Sequence, residues 1–488
     1  MLLDEPLIFE RGARGREGWQ VTGEGDGGAF GLPPELRRED DLAGMPEVSE
    51  LEVLRHFVRL SQWNYSAATT FYPLGSCTMK YNPVVNEELA RLPGFAALHP
   101  LVPAALAQGA LELLAALERA LLAISGLDAV TLQPAAGAQG ELTGMLLVRA
   151  YHIDRGNRRR RVLIPASAHG TNPASSAFCG YAVTEVPTNA RGLLDADAVA
   201  AAMDDSVAAL MVTNPNTLGL FEEQIEGVAA AVHAKGGLVY MDGANMNALM
   251  GVAKPGDMGV DVMQFNLHKT FSTPHGGGGP GAGPVAVRDV LADYLPVPRL
   301  VRAGDRWTWC EEAPKSIGRV RSFYGNFGIL VRALAYIERM GGPGLEEATR
   351  LAILNAAYLR ARLRHAYHLA YDGPCMHECV FSDRTLLEHG VTTLDVAKRL
   401  LDHGFYAPTI YFPLVVKGAL MIEPTETETQ GTLDEFADAM LAIAEEARTD
   451  PARVRGAPHD TRRGRLDETR AARHPVLRWR PVAGAPRA

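Results

Sequence analysis

Two apolar runs decide the fold: Leu238-Val239-Tyr240-Met241-Asp242, which ends in an acid, and Val262-Met263-Gln264-Phe265-Asn266-Leu267-His268-Lys269-Thr270, which carries a lysine near its end. A glycine loop, His275-Gly276-Gly277-Gly278-Gly279-Pro280-Gly281, follows the second run. Asp242 and Lys269 each stand just past a short β-prone stretch, where an open α/β sheet places its ligand chemistry.

That layout predicts a pyridoxal phosphate (PLP) enzyme. PLP requires a lysine amine to carry it and a carboxylate beside its pyridinium nitrogen. The carboxylate keeps that nitrogen protonated, so the ring accepts electrons from a substrate carbanion. Glycines beside the lysine let backbone come close to the cofactor. Among Lys80, Lys235, Lys254, Lys269, Lys315, Lys398 and Lys417, Lys269 alone follows a buried-looking strand and precedes a glycine loop. The bare layout leaves aminotransferases and aldolases of the same fold open.

The chain has 488 residues, of which 47% are hydrophobic, enough for one large and one small domain with arms. A net charge of −9 argues against a general binder of nucleic acid or anionic membrane. No apolar run approaches the roughly 18 residues that span a bilayer. Asp4, Glu5 and Glu10 around a short apolar run do not make a signal peptide, so the cytoplasm is the expected compartment. Cys77, Cys179, Cys310, Cys375 and Cys379 are too scattered for a disulfide framework. The run Cys375-Met376-His377-Glu378-Cys379 lacks a second ligand pair nearby and reads as buried thiols, with no metal expected.

Residues 1–45, rich in Gly, Pro and charge, read as an extended arm. Apolar spacing predicts a helix from Ser49 to Leu60, with Ser49 and Glu52 as a capping box. Tyr72–Pro83 is dense in turn formers and reads as a structured surface loop. Near residue 100 an α/β pattern begins: a helix over 105–125, a strand over 129–132, then Pro134-Ala135-Ala136-Gly137-Ala138-Gln139-Gly140-Glu141 opening a second helix. A strand, small residues and a helix N-terminus can hold a phosphate, with a plain tight turn as the alternative.

A strand over 162–164 leads to Ala166-Ser167-Ala168-His169-Gly170-Thr171-Asn172-Pro173, where His169 is either a structural imidazole or a flat ring against the cofactor. Further strands are expected over 183–186 and 208–212, with a helix over 195–203 between them. The second strand ends in Thr213-Asn214-Pro215-Asn216, whose polar groups suit the cofactor's phenolic oxygen. A helix over 221–235 stops at Gly236-Gly237. This alternation predicts a mostly parallel sheet. Helices over 329–340, 344–364, 393–403 and 432–448, the last with Thr432 and Glu435 as a capping box, interleave with strands over 378–381 and 419–422. The organisation is thus an N-terminal arm and helical segment (1–99), a large α/β domain (100–328), a small α+β domain (329–448) and an extended C-terminal arm (449–488).

The runs Tyr72–Pro83, 168–175, 213–219, Met241-Asp242-Gly243-Ala244-Asn245-Met246-Asn247 and 266–284 resemble those of glycine decarboxylase, the P-protein of the glycine cleavage system. The resemblance spans most of residues 50–450 and is most specific at Asn266–Thr270 and the glycine loop. The chain is similar to the lysine-bearing C-terminal half of the double-length form, which in organisms that split the enzyme is its second subunit. Ser272 stands where many relatives would carry Cys.

The resemblance implies PLP fold type I, as in aspartate aminotransferase. It implies decarboxylation of glycine, with the aminomethyl group passing to the lipoyl arm of H-protein. It further implies that Lys269 carries PLP, Asp242 supports the electron sink, His169 stacks on the ring and Ala136, Gly137 and Ala138 hold the phosphate. Asn214, Ala244 and His275 join the cofactor site, and His268 or His275 moves protons. The implied partner is a subunit similar to the N-terminal half, in a heterodimer that pairs to α2β2.

Overall fold

A computed structural model of the chain describes residues 5–13, 15–18, 33–36, 45–275 and 281–480, so most of the glycine loop, 276–280, lies outside them. The chain divides into two compact units, Met1–Ser66 with Pro458–Ala488, and Ala67–Ala457.

In the first unit, helix Glu50–Ser61 starts at the expected capping box: the Ser49 hydroxyl accepts the Glu52 N–H, and the Glu52 carboxylate accepts the Ser49 N–H at 2.8 Å. Buried Glu5 binds His56 (2.8 Å), Arg11 (2.7 Å) and Arg59 (3.1 Å).

The Ala67–Ala457 unit is built on a seven-stranded sheet. Its strands are β1 (Ala129–Thr131), β2 (Arg161–Pro165), β3 (Ala182–Val186), β4 (Val207–Thr213), β5 (Leu238–Gly243), β6 (Val262–Phe265) and β7 (Val285–Val287), in the spatial order β1-β7-β6-β5-β4-β2-β3. All neighbours are parallel except that β7 runs antiparallel between β1 and β6. The sheet is therefore mostly parallel, as expected, while β7 escaped the sequence reading because three residues carry no periodicity. Strands β4, β5 and β6 are buried along their whole length, as a sheet covered on both faces requires.

Side chains divide between the two faces: Val239 and Met241 join one core with helices Gln108–Ser125 and Ile225–Ala234, and Tyr240 joins the other with helix Gly137–Asp154. That last helix lies close to the sheet because Gly144 has no side chain; a Cβ there would stand 2.4 Å from the Tyr240 ring.

Helix Phe327–Leu363 is bent at Gly341 (φ 61°), so the two expected helices are arms of one broken element. It leads into an antiparallel four-stranded sheet in the order His368–Leu369, Cys379–Ser382, Ala419–Ile422, Thr409–Ile410.

Three expectations are corrected. The last long helix runs Gln430–Thr449 and is capped by Thr429, whose hydroxyl accepts the Thr432 N–H at 3.2 Å; both threonines fit a cap, and the earlier one lengthens the helix by two residues. The tail is not extended throughout: Pro451–Gly456 and Glu468–Arg473 are short helices, each begun by an Asp whose carboxylate accepts an N–H three residues on. Tyr72–Pro83 is not a surface loop, because Ser76, Thr78 and Lys80 are buried and Leu74 bridges Ile422 of the small sheet.

Candidate active site

The register of the parallel strands sets Thr213, Asp242 and Gln264 side by side at the C-terminal ends of β4, β5 and β6. The buried Asp242 carboxylate accepts hydrogen bonds from the Asn172 side-chain amide (3.0 Å), the Ala244 N–H (3.0 Å) and the Gln264 side-chain amide. The Asn172 amide also donates to Glu141 at 3.0 Å. Two acids thus share one donor; burial and then the Asp242 charge push Glu141 up to about 7. The Thr171 hydroxyl donates to Glu141 at 2.9 Å and lies 2.9 Å from His169 Nδ1. A polar chain therefore runs from His169 to Asp242. Burial lowers the His169 pKa, with the Asp242 charge opposing and the Lys269 charge assisting.

Lys269 sits in the single helical turn Leu267–Thr270 that follows β6, and its Nζ donates to the Ser76 carbonyl at 2.7 Å. The neighbouring His268 accepts the Ala282 N–H at 3.3 Å and meets His275 edge-on, with ring centroids 5.2 Å apart. Burial, His275 and the Lys269 charge hold His268 down to about 3; burial and Lys269 hold His275 down to about 4. Both rings are neutral near pH 7.

Helix Gly137–Asp154 begins at Ala136 with no side-chain cap, which leaves the N–H groups of its first turn, Gly137 and Ala138 included, open to an anion. A Cβ on Gly137 would stand 2.1 Å from Asn266 Oδ1, so this helix end rests on the turn that bears Lys269. The Asn214 Oδ1 accepts the Glu222 N–H at 3.0 Å, while its Nδ2 is buried without a partner among the described residues. Thr213 Oγ1, Asn266 Oδ1, Thr270 Oγ1, Thr273 Oγ1 and His275 Nε2 are likewise buried and find no partner among the described residues. Buried polar groups normally find partners, and this concentration around a lysine fits a polar cofactor. PLP matches the donor set: an amine, a buried carboxylate, an open helix N-terminus and spare hydrogen-bonding groups.

The fold brings Lys269, His268, His275, Asp242, Ala244, His169, Asn214 and the Ala136–Ala138 helix start to this region. Sequence reasoning missed Glu141, Asn172 and Gln264. Gln264 had one local signal, a lone polar residue inside an apolar strand. Sequence reasoning sets aside the run Cys375–Cys379 for want of further ligands nearby; the fold brings the distant Glu423 to its His377 and Glu378, with ligand-type atoms within 4.8 Å of one another. Cys375 and Cys379 are buried free thiols, as expected.

A lysine past β6 and a carboxylate at the end of β5, in a sheet with one reversed strand beside a small antiparallel lobe, define a PLP-dependent enzyme of fold type I. The fold agrees with that of a crystal structure of glycine decarboxylase (P-protein) of the glycine cleavage system in inhibitor-bound form (TM-score 0.72, 22% identity, 84% of this chain and 93% of that one). An aspartate aminotransferase from Thermus thermophilus is more distant (TM-score 0.57, 16% identity, 77% and 99%). Residues 29–305 match the family model of the glycine cleavage system P-protein, and residues 348–457 match that of the glycine dehydrogenase C-terminal domain.

A relative named "Probable glycine dehydrogenase (decarboxylating) subunit 2" from Caldanaerobacter subterraneus subsp. tengcongensis is 55% identical over 92% of both chains. One of the same name from Chloroherpeton thalassium is 53% identical over 98% of both. The chain belongs to the glycine cleavage system P-protein family. No helix among the described residues is long and apolar enough to cross a membrane.

Proposed function

We propose that the chain is the lysine-bearing subunit of a two-subunit glycine dehydrogenase of the cytoplasm, paired with its partner as α2β2. It decarboxylates glycine and passes the aminomethyl group to the lipoyl arm of H-protein. The observation that carries this reading is the pairing of a lysine in the turn after β6 with a buried carboxylate, Asp242, held by three hydrogen bonds at the end of neighbouring β5, in a chain of the P-protein family. Bound there, PLP supplies an electron sink for the pair left when carbon dioxide departs.

The protein's own residues do the rest. Asp242, held by Asn172, Ala244 and Gln264, keeps a proton on the pyridinium nitrogen. The first turn at Gly137 and Ala138 offers N–H groups to the phosphate, and the unpartnered Nε2 of His275 and Nδ2 of Asn214 offer further contacts. Lys269 supplies the amine, and its half-buried setting limits water around it. His268 and His275 are held neutral by burial and by the Lys269 charge, so they add no positive charge beside the amine; rings held so far down are weak bases and serve as uncharged hydrogen-bonding groups.

The test is exchange of labelled bicarbonate into the glycine carboxyl, with lipoylated H-protein present, with and without the partner subunit. Exchange that needs the partner and vanishes in Lys269→Ala is expected. No exchange in either mixture, despite bound PLP, would turn the reading toward another PLP chemistry.

A further inference from the structure

The amine of Lys269 does not rest on a side chain. It rests on the Ser76 carbonyl, at 2.7 Å, in a turn that no local pattern explains: Ser76 and Thr78 both have positive φ, 61° and 31°. Non-glycine residues hold such angles only where their surroundings impose them. Here the imposing groups are two buried carboxyl groups of the small lobe, Glu378 being pushed well above the usual carboxylate range by burial and by Glu423. Glu378 accepts the Ser76 N–H at 2.9 Å; Glu423 accepts the N–H groups of Cys77 (3.2 Å) and Thr78 (3.0 Å), and also the Thr78 hydroxyl. Both acids are buried; among the described residues Glu378 Oε1 and both ring nitrogens of the adjacent His377 form no hydrogen bond, with His377 Nε2 lying 3.9 Å from Glu423 Oε1.

We infer that Glu378 and Glu423 are positioning residues that hold the turn at Ser76–Thr78 as a dock for the Lys269 amine. The inference rests on the cofactor reading above. Each time the substrate amine takes the place of Lys269 on the cofactor, the lysine amine is released and must be kept close for its return. A carbonyl oxygen accepts from the amine and takes no proton from it, so the dock holds Lys269 without neutralising it; because such a hydrogen bond favours the charged form of its donor, moving the carbonyl changes the pH profile of capture. Without the carboxyl groups, three N–H groups and one hydroxyl lose their acceptors and the turn relaxes toward ordinary φ, moving the Ser76 carbonyl away.

The test uses the chain with its partner subunit, first stripped of cofactor and then mixed with PLP. The readout is the rate at which the lysine-linked absorbance appears, with borohydride trapping and mass spectrometry to place the bond on Lys269. Two variants are compared with wild type at several pH values: Glu423→Gln, and Thr78→Val, which removes one hydroxyl donor and keeps the residue's shape. Slowing of capture by about tenfold in Glu423→Gln and by less in Thr78→Val, with a shifted pH midpoint in the protein that remains folded, supports the dock. A structural loss alone would lower the amplitude and leave the midpoint in place, and that result overturns the proposal.

Wild-type rates and midpoints in both variants overturn the proposal. If Glu423→Gln does not fold, Thr78→Val decides alone by the same criteria. Lysine-linked absorbance that persists in Lys269→Ala overturns the cofactor reading itself, and is thereby distinguished from failure of the dock.

Discussion

Gln264 and Asp242 are register partners across β6 and β5, and the Gln264 amide donates to the Asp242 oxygen, Oδ1, that also takes the Ala244 N–H at 3.0 Å. A strand pairing, rather than a loop, thus aims the carboxylate that PLP chemistry needs. Strand-borne groups are held more rigidly than loop-borne ones, which suits a group that must stay aligned with one ring atom.

Replacing Gln264 by Met tests this directly. The variant keeps volume and removes the hydrogen bond to the charged acceptor, worth about 1.5–3 kcal/mol, together with the one that the Gln264 oxygen accepts from the buried Tyr240 hydroxyl. Bicarbonate exchange is expected to fall by about 10- to 100-fold, with PLP content unchanged. Unaltered exchange would show that the strand pairing does not orient Asp242.

Asp242→Asn and Lys269→Ala are expected to fail differently. Asn at 242 leaves PLP bound through the lysine but deprives the ring nitrogen of its anionic partner, so cofactor absorbance persists while decarboxylation drops sharply. Ala at 269 abolishes the covalent link, so borohydride traps no cofactor on the chain. Full turnover in Asp242→Asn would refute its role.

Glu141 gives the stability a pH dependence. Its folded pKa, about 7, lies above the ordinary 4.5, so the folded state holds the proton more tightly than the unfolded chain does. The stability it contributes is fully present below pH 4.5 and is lost as pH rises toward 7, on the order of 3 kcal/mol in all. Glu118 and Glu222 are also raised to about 7, so the wild-type-minus-variant difference is the quantity to follow. Denaturant unfolding of wild type and Glu141→Gln at pH 5 and pH 7.5 should show the variant gaining relative stability at the higher pH. A constant difference would mean that Glu141 is ionised throughout.

Lys80 anchors the far end of the same buried turn-rich segment, donating to Asn247 (2.8 Å), Tyr336 (3.2 Å) and Glu426 (2.7 Å). Removing one partner of a buried ion pair strands the other, at about 3–5 kcal/mol. Lys80→Ala should lower the denaturation midpoint accordingly, and Lys80→Ala with Glu426→Ala should recover part of the loss. A single variant as stable as wild type would show that water already reaches Glu426.

The sequence alone marked Lys269 and Asp242, because each stands at the end of an apolar run and strand ends are set by local pattern. It likewise determined the alternation of strands and helices, since apolar periodicity and caps act over a few residues. It also pointed to the helix start at Gly137, where small residues follow a strand. Only the tertiary structure decided what surrounds these groups. Thr429 rather than Thr432 became the cap, and three-residue β7 entered the sheet, because packing chose between locally equivalent options. Glu141 met Asp242 through Asn172 once a helix, a loop and a strand had packed together. Glu378 and Glu423 reached the Ser76–Thr78 turn across 302 and 345 residues of chain. Such pairings leave no trace in local periodicity, because their free energy arises only when distant elements exclude water from the same space.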